Sequence, residues 1–72
     1  MANYSEILEA YKKRLEGERD TINVTLDILL TNPTVISEHT NLITEVDKLV
    51  GTMAEITDKL KIVNFLISSR SK

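Results

Sequence analysis

The first residues to ask for chemistry are a single histidine, a short basic cluster and a set of carboxylates. His39 carries the only imidazole in the 72 residues. An imidazole can ligate a metal or change charge near neutral pH. A metal site needs further ligands at helical spacing, and the sequence contains no His-x-x-x-His or Glu-x-x-His pattern. His39 therefore reads as a polar break in an apolar stripe. In a symmetric oligomer two copies of it could meet and make a pH-sensitive contact. "YKKR", Tyr11 to Arg14, combines a ring with three cations and could hold a phosphate or stack on a base. Tyr11, Lys12 and Arg14 are the candidate ligand contacts. The plainer reading is a solvated helix face beside Glu9, Glu16 and Glu18. Glu45, Asp47, Glu55 and Asp58 could do acid–base work only if they converged in a shielded pocket. Their spacing instead suggests a solubilising face. With no glycine-rich phosphate loop and no nucleophile motif, the expectation is a non-enzymatic protein with no catalytic residue, no metal ligand and no cofactor.

Composition narrows the classes further. Nine Lys+Arg stand against eleven Asp+Glu, a formal net charge of −2. Nucleic-acid binders draw most of their affinity from phosphate neutralisation and carry a basic excess, so no nucleic-acid partner is expected. The apolar fraction of 42% is that of a folded chain. No run reaches the ~18 apolar residues that a membrane span needs. The start, "MANYSEILEAYKKR", has an early acid and no apolar h-region, so the expected location is cytoplasmic. Asn23-Val24-Thr25 then matches the glycosylation sequon by accident. There is no cysteine, hence no disulfide and no thiolate zinc site to staple so small a protein.

These residues must be positioned by helices. Pro33, in "LLTNPTVIS", is the one strong breaker. Proline cannot continue a helix and biases the residue before it away from helical geometry. Asn32 is a favoured N-cap, and proline suits the position that follows. The sequence thus predicts an all-α antiparallel hairpin in a single domain, 1–72: a first helix over about 4–30, a turn at 31–33 and a second helix over about 33–70. Asn3 caps the first helix, with Glu6 three residues on as in a capping box. Gly17, in "RLEGERDT", should soften that helix without ending it.

Periodicity supplies the packing. Leu8, Leu15, Ile22 and Leu29 recur every seven residues, with Tyr4 and Tyr11 on a neighbouring line. In the second helix Val35, Leu42, Leu49, Ile56 and Val63 form one series, and His39, Val46, Met53, Leu60 and Ile67 the other. Alternating steps of four and three are the mark of coiled-coil-like heptads. Glu55 and Lys59 add an i,i+4 pair. Ile36, Ile43 and Val50 widen the apolar face, which suggests more than one neighbouring helix and a four-helix bundle or higher oligomer.

The predicted helices are unequal, about 40 and 55 Å long. A reversal at Asn32-Pro33 leaves the first helix ending opposite about residue 60, so the apolar tail "KLKIVNFLISSR" overhangs. Leu60, Ile62, Val63, Phe65, Leu66 and Ile67 are accordingly the expected partner-binding residues. A homo-oligomer, with a dimer favoured, is the economical way to cover them, and a different protein receiving the tail is the other.

A hairpin with an "NP" turn and a helix to the C-terminus is similar to the needle subunits of type III secretion systems. "LDILLTNPTVIS" and the length from Pro33 to Lys72 carry the resemblance. It implies a polymerising or secretion-apparatus subunit. The leading expectation is a self-associating protein–protein interaction and assembly module that works through its second helix. A small phage-type regulator or inhibitor, binding a host protein or a small ligand, is the alternative.

Overall fold

The computed structural model describes residues 3–32 and 39–70, without the side chains of residues 39, 40 and 70. Two helices account for nearly all of it: α1, Tyr4–Thr31, and α2, His39–Arg70. They pack against each other as a hairpin.

The start of α1 is fixed as the sequence predicts. Asn3 holds extended backbone, and its Oδ1 accepts the Glu6 N–H at 2.8 Å. One of the orphan donors of the first turn is thereby satisfied, and the Glu6 carboxylate sits at the positive end of the helix dipole. At the other end the Asn32 N–H donates to the Ile28 carbonyl at 2.9 Å, closing α1 with Asn32 as its C-cap. The expected start of the second helix at Pro33, like Val35 and Ile36, lies outside the described residues. α1 runs unbroken through Gly17. Threonine hydroxyls in both helices bond back to the carbonyl four residues earlier, as Thr21 does to Gly17 and Thr57 to Met53. The hydroxyls thus need no water or partner.

The core is the seven-residue stripe. Leu15, at 2% exposure the most completely covered of the core side chains, clusters with Ile22, Ile56, Leu60 and Val63. Leu26, Leu49, Met53 and Ile67 close around them. No polar side chain is buried among the described residues, so the seam is held by aliphatic packing alone.

Two expectations need correction. Tyr4 and Tyr11 are exposed rather than part of the seam, because one facing helix covers only a narrow stripe and the line 4, 11, 18, 25 lies beside it. The tail also does not overhang from residue 60. Leu60 and Val63 are buried with Leu15, and α1 still has its first three turns to run beyond that level. The described helices, 28 and 32 residues long, differ by about one turn.

The hairpin is a rod of 51 × 19 × 17 Å with a radius of gyration of 16.2 Å. A globular chain of this length would have a radius near 11 Å. Its accessible surface, 5511 Å², exceeds the roughly 4,500 Å² of a globular chain of equal mass. A two-helix rod has flanks that nothing within it can cover.

Candidate binding surface

One flank of the rod carries a groove of about 720 Å³. α1 supplies Arg14, Gly17, Glu18 and Thr21 to its wall, and α2 supplies Thr52, Glu55 and Lys59. The edges of the seam residues Ile22 and Ile56 form the apolar floor. Helical geometry explains the set. At about 100° per residue, 14, 18 and 21 fall to one side of the buried line 15, 22, 29. On α2, 52, 55 and 59 fall to the same side of the seam line 49, 56, 63. Gly17 deepens the wall, since a Cβ added there would meet no atom within 4 Å.

Four charges therefore share the groove. Arg14 precedes Glu18 by one turn, Glu55 precedes Lys59 by one turn, and the two helices run in opposite directions. The cations consequently mark one end of the groove and the carboxylates the other. No ion pair joins these four to one another or to any other described residue. The i,i+4 spacing of Glu55 and Lys59 thus does not close into a bridge. Arg19, outside the groove, does pair with Asp20 at 3.2 Å.

The basic cluster is divided by the helix. Arg14 lines the groove and Tyr11, three residues earlier, lies along the same flank. Lys12 is half-buried and points to the opposite side, about 200° from Arg14. Tyr11, Lys12 and Arg14 therefore do not converge on one ligand. Glu45 is half-buried, whereas Asp47, Glu55 and Asp58 are exposed. Among the described residues no three His, Asp or Glu side chains gather around a metal-sized space. The side chain of His39 lies outside the described residues.

The tail is divided as well. Leu60 and Val63 are committed to the hairpin core, and Ile67 packs against it. Ile62 and Phe65, 61% and 69% exposed, stand off the seam with the half-buried Leu66 near them. Stepping by three and four from 60 stays on the buried face, whereas 62 and 65 turn outward. Ile62 continues the line of Glu55 at a seven-residue step, so the apolar tail leads directly out of the groove. Ile7, exposed seven residues before Arg14, does the same on α1.

No family model, curated protein or solved structure matches the chain. Among the described residues no helix is long and apolar enough to cross a membrane. The sequence marks Glu18 beside the basic cluster and pairs Glu55 with Lys59, but it does not join them with Arg14, Thr21 and Thr52 in one groove. The available signal was the pair of charge couples in inverse order, Arg14–Glu18 and Glu55–Lys59, with Gly17 between the first two.

Proposed function

We propose that this protein is a non-enzymatic assembly module that self-associates into a bundle of helices through the uncovered flank of α2, using coiled-coil-like packing. The observation that carries the reading is the exposure of Ile62 and Phe65 on a hairpin whose own core is already complete. Burying each large apolar side chain is worth about 1.5–3 kcal/mol. The rod has more apolar flank than one facing helix covers, and Ile43, 67% exposed, and Val50 extend it on the other side of α2. Isolated exposed apolar residues are ordinary on protein surfaces, but apolar side chains that continue a groove between two helices form a surface suited to further helices.

The test is sedimentation velocity of the full chain over a wide concentration range, beside the Ile62→Ala/Phe65→Ala variant. The expected result is a discrete oligomer for the parent chain and a shift toward monomer for the variant, with helicity at dilution unchanged. A parent chain that stays monomeric throughout overturns the reading.

A second reading has the groove receive a small ligand bearing charges of both signs. Its volume lies within the range of small-molecule sites, and Arg14, Lys59, Glu18 and Glu55 would supply the polar contacts. A thermal-shift screen with nucleotides and zwitterionic metabolites checks it, and no stabilisation by any of them counts against it.

A further inference from the structure

The groove carries an instruction about how a second copy would sit, because its four charges are arranged by end. Arg14 and Lys59 mark one end and Glu18 and Glu55 the other. Each charge lacks an ion-pair partner among the described residues. Two orientations bring this flank face to face with itself about a two-fold axis. An axis along the rod stacks like charge on like, Arg14 over the partner's Lys59 and Glu18 over the partner's Glu55. An axis across the rod turns the second copy end over end. It sets Arg14 opposite the partner's Glu18 and Lys59 opposite the partner's Glu55, and each pair is made twice by symmetry. Resting on the self-association reading above, we propose that the groove flank is the interface of an antiparallel homodimer whose two-fold axis crosses the rod beside Gly17.

Three further features fit that arrangement. α1 lies along the partner's α1, crossing where Gly17 has no side chain and where nothing within 4 Å fills the place of one. Two helix backbones can approach closely there at no cost to the hairpin. The exposed Tyr4, Ile7 and Tyr11 at one end of α1 come to lie along the partner's Thr21, Thr25 and Ile28, so the apolar end of the flank is covered by its less charged half. The rod's surface is also large enough to supply such an interface. The chain exposes about 1,000 Å² more than a globular protein of its mass, and a standard interface covers about 800 Å² per partner.

Like-charge juxtaposition is costly and opposite charges set register, so charge exchange is the direct test. An acidic variant, Arg14→Glu/Lys59→Glu, and a basic variant, Glu18→Lys/Glu55→Lys, are each studied alone and mixed one to one by sedimentation velocity, with circular dichroism at dilution to monitor the fold. Each alone should self-associate about 100-fold more weakly than the parent chain, and the mixture should form a one-to-one heterodimer. A dimeric parent whose acidic and basic variants dimerise equally well overturns this interface while leaving self-association standing. A monomeric parent overturns both. Orientation is read separately by oxidation. Gly17→Cys should cross-link two chains, since both copies lie beside the axis within disulfide reach. Tyr4→Cys should not, as the two copies lie about 40 Å apart. An axis along the rod would instead lay α1 over the partner's α2 and keep both copies of residue 17 out of disulfide reach, so a dimeric Gly17→Cys chain that does not cross-link overturns the antiparallel arrangement.

Discussion

The seam between the helices and the groove flank beside it are built from the same two helices at positions one or two residues apart, yet they differ in kind. The seam is aliphatic and, among the described residues, free of buried polar groups: Leu15, Ile22, Ile56, Leu60 and Val63 cluster with one another and with half-buried Leu26, Leu49, Met53 and Ile67. The flank is open, mixes Tyr11 and Ile62 with Arg14, Glu18, Glu55 and Lys59, has Phe65 on the outer face of α2 beside it, and leaves those four charges without ion-pair partners among the described residues. A seam of that composition can hold a hairpin but says nothing about partners, since every aliphatic stripe resembles every other. A flank with charges sorted by end can choose an orientation. Stability and recognition are therefore carried by adjacent faces, and substitutions should separate them.

The largest expected effect is on the seam. Leu15→Ala removes a fully covered side chain and should cost about 2–5 kcal/mol in urea or thermal unfolding. For so small a core that approaches the whole stability, so the variant should be largely unfolded at dilution. Next comes the flank. Ile62→Ala with Phe65→Ala should leave the dilute-solution melting curve within about 0.5 kcal/mol of the parent, because both side chains are already solvated, while association falls. Comparable losses of stability from the seam and flank substitutions would erase the distinction.

Gly17→Leu sharpens it further, because it should move the two properties in opposite directions. Leucine gains about 0.8 kcal/mol of helix propensity over glycine, and its Cβ enters open space in the hairpin. Thermal unfolding at dilution should therefore shift upward while sedimentation shows weaker association. The smallest effect falls on neither region. Asn3→Ala forfeits the bond to the Glu6 N–H and should cost about 1 kcal/mol by thermal unfolding, with fraying confined to the first turn of α1 in amide exchange.

How much of this could be read in the sequence follows from the same contrast. Buried Leu15, Ile22 and Leu29 on one helix, and half-buried Leu49 with buried Ile56 and Val63 on the other, are legible because a stripe facing the seam repeats every seven residues. The Asn3 cap is legible because its partner lies only three residues away. Register between the helices is not, since it depends on where the chain, once reversed, meets α1 again, and no periodicity encodes that. Hence Leu60 and Val63 were expected to overhang and are instead buried opposite α1. Tyr11, Lys12 and Arg14 were grouped because they are neighbours in sequence, and the helix separates them. The groove was hidden for the converse reason. Arg14 and Lys59 are distant along the chain and become companions only once α1 and α2 are paired.

The most direct test of the central claim, that the hairpin is complete as a fold but incomplete as a surface, is small-angle X-ray scattering of the parent chain across a concentration series. Forward scattering should rise from the mass of one chain toward that of two, with a radius of gyration near 16 Å only at the dilute limit. A forward scattering that stays at one chain's mass up to the highest concentration would contradict it, leaving a hairpin whose flank needs no second copy.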